Sequence, residues 1–434
     1  MTADSLPEDS RLTHVHWDQH VPYNSTFRSV DGRLFCDEVP LDAIARSVGT
    51  PVYIYSQKRL LHNYRRIQEA FAPLNARVHY SAKANANLDV LRTLIAAGAG
   101  IDAVSGGEID RALRAGADPK SIVFAGVGKT EMELHFALEC GVGWINVENE
   151  AEAQCIDAMA CEMGTTARVA LRLNPDVSAA THPSIATGHG SSKFGLSTEA
   201  AIALLQRRSG LAHLDIAGIH VHIGSQLHDV EATARAVKAA RSLADAFPFI
   251  HTLDIGGGIP VDYGGEPDLP IPAQFAAALR PLLEGYTVIV EPGRAIAADA
   301  GVLLARVLYV KESGAKRYLI VDAGMTELMR PMLYGARHAI VPIAPAEAPG
   351  FNSVIVAGPV CEMTDMLSGE ILLPSVRPGD VLAVLTCGAY GMVMANNYNA
   401  RPRPPEIIVL ENGTEWRVSR RRETWDDLVR LELE

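Results

Sequence analysis

Residues 78–124 read VHYSAKANANLDVLRTLIAAGAGIDAVSGGEIDRALRAGADPKSIVF, and this stretch shows the pattern on which the fold depends. Short apolar or β-branched runs, such as Ile101 to Val104, alternate with longer stretches of Ala, Leu, Glu and Arg at helical spacing, such as Leu88 to Ala97. Strands that alternate with helices of this length usually form βα units with a parallel sheet. The stretch therefore predicts consecutive βα units.

The same alternation continues to about residue 297 and supplies eight predicted strands. Eight parallel strands with intervening helices over roughly 240 residues favour a closed (β/α)8 TIM-like barrel over an open sheet. We predict this barrel for residues 49–297. Its predicted strands are Val78 to Ser81, Ile101 to Val104, Ile122 to Phe124, Trp144 to Val147, Arg168 to Leu173, Ile216 to His222, Thr252 to Ile255 and Val288 to Glu291.

A second, mostly β domain is predicted on either side of the barrel. Residues 298–434 contain strand patterns without long helices between them, separated by Gly- and Pro-containing turn signals. Within residues 1–48, the stretch from Thr26 to Glu38 carries the turn signal Asp31-Gly32 and reads as a hairpin. We expect this N-terminal segment to pair with the C-terminal β domain and not with the barrel.

Length and composition exclude several classes of protein. A chain of 434 residues with 48% hydrophobic and 21% charged residues suits a globular protein of two domains. The net charge of −12 repels phosphodiester backbones and anionic membranes, so nucleic acid is not an expected partner. The six cysteines lack metal or disulfide spacing, and no metal is predicted. Without an apolar leader or a run of ~18 apolar residues, we expect a cytoplasmic protein.

The residues that follow the predicted strands are the candidates for function, because barrel enzymes build their sites at the C-terminal strand ends. Lys83 follows one such strand, between the small residues Ala82 and Ala84. An isolated lysine is usually a surface charge. At the mouth of a barrel, however, burial would depress the pKa of Lys83 and give a nucleophilic amine that can form a Schiff base.

A run of three glycines, Gly256-Gly257-Gly258, follows the predicted strand that ends at Ile255. Without side chains, the backbone N–H groups of such a run can converge on a phosphate group. The same run can equally form a tight βα turn with no ligand. Both interpretations stay open on the sequence alone.

Glu291 and His222 also lie at strand ends and have two interpretations each. Glu291 is followed by Pro292-Gly293 and Arg294, with which it could form a plain ion pair. Alternatively, Glu291 could face the nitrogen of a pyridine cofactor and keep it protonated, which strengthens the ring as an electron acceptor. His222 is either a core histidine of an alternating strand or a flat ring stacked on that cofactor.

Several ordered motifs together resemble those of the alanine-racemase-like (fold type III) pyridoxal-phosphate (PLP) decarboxylases. In the barrel they are Tyr80-x-x-Lys83-Ala84-Asn85, GIHVHIGSQ at 218–226, Asp254-Ile255-Gly256-Gly257-Gly258 and Glu291-Pro292-Gly293-Arg294. In the second domain they are Arg330-Pro331-x-Leu333-Tyr334, Gly358-Pro359-x-Cys361-Glu362 and Gly388-Ala389-Tyr390-Gly391. The resemblance extends from about Arg33 to Leu428. It implies a homodimeric PLP enzyme that converts a diamino acid, with meso-diaminopimelate as the expected substrate and L-lysine as the product.

The resemblance also implies roles for individual residues around the cofactor. Lys83 would hold PLP as a Schiff base, His222 would stack on its ring, and Glu291 would face the pyridine nitrogen. The residues implied to hold the phosphate or to lie beside the cofactor are Ser225, Gly256, Gly257, Gly258, Pro292, Gly293, Arg294 and Tyr390.

For the substrate, the implied binding residues are Arg294, Arg330, Tyr334, Glu362 and Tyr390. A guanidinium fork and a phenol suit a second, distal carboxylate, which plain lysine lacks. Cys361 is implied to supply the proton that replaces CO2, and Cys361 with Glu362 to reach the site from the second subunit. On the residues alone, Cys361 could still be an inert buried thiol and Arg330 a structural ion-pair partner.

One position departs from the family pattern, and three alternatives follow from the same scaffold. The family usually has a small hydroxyl residue after Cys-Glu, whereas this chain has Met363, which cannot donate a useful hydrogen bond. Another diamino acid or a carboxylated polyamine therefore remains an alternative substrate. A racemase is the second alternative, but racemases of this fold place an arginine where Glu291 stands here. A non-catalytic PLP carrier is the third, but such carriers consist of the barrel alone and lack the β domain and the segment with Cys361.

Overall fold

The computed structural model describes residues 21–177, 188, 192–264, 268–346 and 349–433. Its N-terminal part forms a three-stranded antiparallel sheet followed by a helix and a further strand: β1 (Phe27–Val30), β2 (Arg33–Cys36), β3 (Val39–Pro40), α1 (Leu41–Val48) and β4 (Val52–Ser56). The small sheet packs on the β domain through a shared apolar cluster that includes Phe27, Leu34 and Ile343. The Leu34 N–H also donates to the Ile343 carbonyl at 3.0 Å.

Eight parallel strands form the closed barrel that the sequence predicts. They are β5 (Arg77–Ser81), β6 (Gly100–Ala103), β7 (Ile122–Phe124), β8 (Trp144–Val147), β9 (Ala167–Arg172), β10 (Leu214–His220), β11 (Thr252–Asp254) and β12 (Thr287–Val290). Each strand pairs with the next, and β12 pairs with β5 through Ile289 opposite Arg77, which closes the ring. Each of the eight predicted strands matches one of these, so the barrel is confirmed.

Helices surround the barrel and begin at residues suited to cap them. They are α2 (Gln57–Phe71), α3 (Leu88–Ala96), α4 (Gly106–Arg114), α5 (Glu131–Cys140), α6 (Glu150–Glu162), α7 (Thr198–Gln206), α8 (Val230–Asp245) and α9 (Pro272–Leu283). All but α9 start after a Ser, Thr, Asn or Asp whose side chain accepts a backbone N–H of the first turn. Each such cap stabilises its helix by about 1 kcal/mol.

The C-terminal domain is built on a nine-stranded sheet. Its elements are α10 (Arg294–Ala297), β13 (Gly301–Ser313), β14 (Lys316–Val321), α11 (Arg330–Tyr334), β15 (Ile340–Pro342), β16 (Phe351–Ala357), β17 (Met366–Pro374), β18 (Val381–Val384), β19 (Glu406–Val409), β20 (Trp416–Arg420) and α12 (Trp425–Leu433). The main order is β17-β16-β14-β13-β4-β19-β20, and β18 joins β13 to β15 beside this path. None of the helices in the described ranges has the length and apolar character needed to cross a membrane.

The predicted start of the barrel at residue 49 is wrong for strand β4. This strand lies in the nine-stranded sheet, where it pairs with β13 on one side and β19 on the other. All five of its residues are buried. Tyr53 and Tyr55 pack in the cluster that is continuous with the barrel core, and Val52 and Ile54 pack in the cluster below the N-terminal sheet. A strand buried on both faces has the same apolar pattern as a barrel strand, so the sequence does not distinguish the two.

Candidate active site

Lys83 lies at the C-terminal mouth of the barrel, beside a buried acid. Strand β5 ends at Ser81, and a short 3-10 turn, Ala82–Ala84, then presents the lysine to the cleft. The Lys83 Nζ donates to Asp102 Oδ2 at 3.0 Å, and the same oxygen accepts the Ser81 hydroxyl. Asp102 is fully buried near the end of β6. Sequence reasoning missed it, although a charged residue inside an otherwise apolar strand is a signal for a buried pair.

The expected depression of the Lys83 pKa is wrong for the protein without cofactor. Removal from water does lower the pKa of Lys83, but the negative charges of Asp102 and Glu291 outweigh this effect and raise it above its ordinary value. The amine is therefore held as an ammonium ion by its two acidic neighbours. An incoming aldehyde reacts only with the neutral amine, and the carboxylate hydrogen-bonded to Lys83, Asp102, is placed to accept the proton that Lys83 gives up.

Glu291 is the charged member of a second buried group at the neighbouring strand ends. Its Oε2 lies 3.4 Å from Nε2 of His220, and both side chains are almost fully buried. The Asp254 carboxyl completes the group, with the three candidate ligand atoms within 4.8 Å of one another. His220 and Asp254 are both residues that sequence reasoning left without a role.

The pKa values of the two carboxyl groups move apart. Burial raises the pKa of Glu291, but His220 and the Lys83 charge outweigh burial and hold it below its usual range. Burial and the Glu291 charge raise the pKa of Asp254 well above its usual range. Asp254 thus keeps its proton and Glu291 carries the charge. A protonated Asp254 is a poor metal ligand, although the spacing of the three groups would admit an ion.

Glu291 fits the nitrogen of a pyridine ring. Among the described residues, no N–H or hydroxyl group donates to its buried Oε1 atom, and Glu291 is hydrogen-bonded by the protonated carboxyl of Asp254 and by His220. A carboxylate can accept more hydrogen bonds than these, and a protonated ring nitrogen would use that remaining capacity. No hydrogen bond or ion pair between Glu291 and Arg294 is recorded among the described residues, where Arg294 bonds to Ser225 and Tyr263 instead. The plain ion pair considered from the sequence is therefore wrong.

His222 and the glycine run form one closely packed turn. The His222 Nδ1 accepts the Gly257 N–H at 3.3 Å, and the Gly256 N–H donates to Asp254 Oδ1 at 3.0 Å. The N–H groups of Gly256 and Gly257 therefore bond within the turn, as the interpretation of a tight βα turn predicts, and a role of the glycine run at a phosphate stays a prediction. Gly256 has φ +65°, and a Cβ there would lie 2.8 Å from the His222 ring, so the turn itself requires glycine.

The His222 ring is neutral. Burial and the positive charges of Lys83 and Arg172 lower its pKa well below the usual range. The Gly257 N–H donates to Nδ1, so the proton of the neutral ring is on Nε2. A neutral, flat ring can pack against an aromatic cofactor. It adds no positive charge that would pair with Glu291 in place of the ring nitrogen of the cofactor.

One narrow cleft, partly open to solvent, brings the predicted cofactor residues together. Every residue predicted to bind the cofactor lines it except Gly256, which lies in the turn behind it. The lining residues are Ser81, Lys83, His222, Ser225, Gly257, Gly258, Ile259, Glu291, Pro292, Gly293, Arg294 and Tyr390. Ser81 and Ile259 are the two that the sequence did not suggest. The free space in the cleft is about 20 Å³, so a ring and a phosphate group fit there only where lining side chains move aside.

Arg294 connects the cleft to the β domain. Its Nε donates to the Ser225 hydroxyl at 3.0 Å and its Nη1 to the Tyr263 hydroxyl at 2.6 Å. Its guanidinium carbon lies 4.7 Å from the centre of the Tyr390 ring. Tyr390 has φ +56°, and its N–H donates to the Ala84 carbonyl at 2.8 Å. The β domain therefore contacts the turn that carries the reactive lysine.

Arg330 also packs on the Tyr263 ring and has a neutral hydrogen-bond partner. Its guanidinium carbon is 4.3 Å from the centre of the Tyr263 ring. Its Nη1 donates to His338 Nε2 at 2.7 Å, while His338 Nδ1 donates to the Leu385 carbonyl at 2.9 Å. Burial and the Arg330 charge lower the pKa of His338 to about 3, so the imidazole stays neutral. No carboxylate pairs with Arg330 in the part of the chain that the structure describes, so the ion-pair role considered for it is not found there.

The remaining residues predicted to act on the substrate do not line the cleft of their own chain. Tyr334 ends α11 and is half-buried. Cys361 and Glu362 are exposed on the loop between β16 and β17, so the interpretation of Cys361 as a buried inert thiol is wrong. The segment Thr181-His182, which belongs to the family resemblance, lies outside the described residues.

Comparisons with known proteins agree with this geometry. A family model described as the pyridoxal binding domain of pyridoxal-dependent decarboxylases matches residues 57–298. A diaminopimelate decarboxylase of Aquifex aeolicus is 41% identical over 418 residues, which cover 95% of this chain and 98% of the relative. The barrel, the lysine at its mouth and the matched model together define a PLP-dependent decarboxylase.

Solved structures show which family of PLP-dependent decarboxylases this chain resembles most strongly among those compared. Diaminopimelate decarboxylase from Helicobacter pylori, complexed with L-lysine, has a TM-score of 0.87 and 38% identity, covering 91% of this chain and 99% of the other. A lysine/ornithine decarboxylase from Vibrio vulnificus, complexed with putrescine, is more distant, with a TM-score of 0.75 and 25% identity over 86% of this chain and 97% of the other. The chain belongs to the diaminopimelate decarboxylase family.

The contact between Lys83 and Asp102 can be tested by Asp102→Asn. Without the carboxylate charge, the pKa of Lys83 falls, and the fraction of neutral amine at a fixed pH below that pKa rises about tenfold or more. Competitive acetylation of the cofactor-free protein, read for the Lys83 peptide by mass spectrometry, measures this fraction. Asp426→Asn, on the exposed surface of α12, serves as the control and leaves the rate unchanged. An equal Lys83 rate in Asp102→Asn and wild type would contradict the assignment.

Proposed function

We propose that this chain decarboxylates meso-2,6-diaminopimelate to L-lysine and CO2, the last step of lysine biosynthesis, as a cytoplasmic homodimer. The names of its relatives and the lysine bound in the Helicobacter pylori structure support this substrate and product. The observation that carries the proposal within the chain itself is the pair of buried guanidinium groups, of Arg294 and Arg330, that both lie against Tyr263.

The two arginines favour a substrate with a second carboxylate. The described hydrogen-bond partners of Arg294 and Arg330 are a serine, a tyrosine and a neutral histidine, none of which offsets a positive charge. Two uncompensated buried charges are unfavourable until an anion binds. The cofactor phosphate would lie beside Arg294, and the distal carboxylate of diaminopimelate would supply the anion that Arg330 still lacks, with Arg294 and the Tyr334 phenol as further donors. Lysine and ornithine have no group that would do so.

At the reacting end, each residue has one task. PLP, when bound, supplies an aromatic ring that accepts the electron pair left behind when CO2 departs. Lys83 would hold the aldehyde carbon, Glu291 would hold the proton on the ring nitrogen, and His222 would fix the ring plane. Ser225, Gly258, Gly293, Arg294 and Tyr390 would surround the phosphate.

A thiol completes the reaction. The carbon that has lost CO2 needs a proton, and we assign its delivery to Cys361. Glu362 would bind the distal ammonium group of the substrate through its carboxylate. Both side chains are exposed in this chain and outside its own cleft. In a two-fold dimer, the same loop of the partner subunit can complete each cleft, which is why the homodimer is part of the proposal.

An alternative substrate is favoured by one observation. Met363 is 84% exposed and stands beside Glu362, at a position where the family usually offers a hydroxyl group. Loss of that hydrogen bond weakens the case for recognition of the distal amino group. Another diamino acid or a carboxylated polyamine is therefore the second candidate.

Activity on a panel of substrates tests the proposal. Purified protein with added PLP is assayed for CO2 release from meso-diaminopimelate, ornithine, lysine and arginine. We expect turnover of diaminopimelate at least tenfold above the others, because only this substrate pairs with both arginines. Lys83→Ala is the control and abolishes release from every substrate. Turnover of ornithine or lysine without turnover of diaminopimelate would overturn the assignment.

Mixing two inactive variants tests the shared active site. Lys83→Ala and Cys361→Ala are purified separately and then mixed under conditions of subunit exchange. Random exchange makes half of the dimers mixed, each with one intact site, so about a quarter of wild-type activity returns. The control pair, Lys83→Ala with Glu291→Ala, alters the same cleft of each chain and recovers nothing. No recovery in the first mixture, with exchange verified by native mass spectrometry, would exclude a site completed by the partner subunit.

A further inference from the structure

The loop that carries Cys361 and Glu362 is fixed at its base. Asp365 is buried and accepts the N–H groups of Met325 at 2.6 Å and Val360 at 2.7 Å. Its own carbonyl accepts the Gly358 N–H at 2.9 Å. A buried carboxylate that accepts two backbone N–H groups is a strong anchor, so the base of the loop has a fixed orientation relative to the β domain.

A second segment, the turn at Tyr398 and Asn399, stands beside the tip of this loop. Asn399 and the following Ala400 both have left-handed backbone angles, with φ +56° and +51°. The turn is stabilised by the Asn397 side-chain amide, which donates to the Arg401 carbonyl at 3.0 Å and to the Glu423 carboxylate at 2.8 Å. A non-glycine pair in the left-handed region is uncommon, and Asn is among the residues that tolerate it.

Two side-chain hydrogen bonds join the two segments, one to each functional residue. The Tyr398 hydroxyl donates to Glu362 Oε1 at 2.5 Å, and the Asn399 amide donates to Cys361 Sγ at 3.3 Å. The Thr364 hydroxyl approaches the other Glu362 oxygen at 3.3 Å. We call Tyr398 and Asn399 the 398–399 clamp.

We propose that the 398–399 clamp positions Cys361 and Glu362 for catalysis: Asn399 aims the thiol and Tyr398 orients the carboxylate. The inference rests on the proposed function, in which these two groups act on the substrate. Because the Asn399 N–H donates to a lone pair of the sulfur, the S–H bond is kept out of the direction of the Asn399 amide. When the thiol protonates the substrate carbon, its S–H bond breaks, a C–H bond forms, and the Asn399 donor stabilises the thiolate until solvent reprotonates it.

The exposure of all four residues argues against a purely structural role. Cys361, Glu362, Tyr398 and Asn399 are exposed in the chain. Hydrogen bonds between exposed side chains contribute little to folding, because water replaces them at nearly equal free energy. Removing the clamp is therefore expected to leave the unfolding transition in place and to change catalysis.

The experiment compares two clamp variants with a neighbour in the same turn. Asn399→Gly removes the amide donor while keeping a residue that accepts the left-handed angles. Tyr398→Phe removes the hydroxyl alone. Ala400→Gly, which changes the same backbone turn and removes no donor, is the control. All are assayed with PLP and meso-diaminopimelate in H2O and in D2O.

Each variant has its own expected signature. In D2O the wild type places deuterium at one of the two prochiral positions of the carbon that lost CO2, as read by NMR of the lysine formed. Asn399→Gly gives a mixture of both positions and about a tenfold lower kcat with little change in KM. Tyr398→Phe raises KM about tenfold, the effect of one charged hydrogen bond, and leaves kcat and the deuterium position unchanged. Ala400→Gly matches the wild type.

Three outcomes would overturn the inference. Wild-type kcat, KM and deuterium position in both clamp variants would show that neither side chain positions anything. An equal loss in Ala400→Gly would show that the turn acts only through its backbone. A wild type that is inactive on diaminopimelate would overturn the proposed function and the clamp with it. This outcome differs from a failure of the clamp alone, in which the wild type is active and the variants behave like it.

Discussion

The buried negative charge of Glu291 is the constraint on which the rest of the site depends. A carboxylate this far from water normally takes up a proton or moves out, since an unpaired buried charge costs several kcal/mol. Here Asp254 keeps the proton instead, and His220 and Lys83 hold the charge on Glu291. A charged acid beside the ring nitrogen keeps the cofactor ring a strong electron acceptor, whereas the arginine of a racemase weakens it.

The barrel geometry makes this arrangement possible. Strands β10, β11 and β12 are neighbours, and His220 stands directly opposite Asp254 in the parallel register. Since the C-terminal ends of parallel strands meet at one face, residues far apart in sequence arrive at one point. On its other edge, β12 pairs with β5, which brings the Lys83 turn beside Glu291. The β domain then contacts the cleft through Tyr390.

Much of this could be predicted from the sequence, because the βα alternation and the motifs are local. The barrel, Lys83 and Glu291 follow from patterns of a few consecutive residues. Strand β4 could not be assigned, because burial on both faces hides which sheet it joins. Asp102 and His338 were not found either. A charge inside an apolar strand signals that Asp102 has a buried partner, but the sequence does not show that this partner is Lys83. His338 matters through its contact with Arg330, eight residues earlier, and no local pattern marks that pair.

The most direct test of the account is the protonation of the cofactor ring in the resting enzyme. PLP labelled with 15N in the pyridine ring is bound to the protein, and its nitrogen chemical shift is measured by NMR. We expect a protonated ring nitrogen in the wild type and an unprotonated one in Glu291→Gln, because an amide cannot supply the negative charge that holds the proton. An unprotonated nitrogen in the wild type, or the same shift in both proteins, would contradict the role given to Glu291.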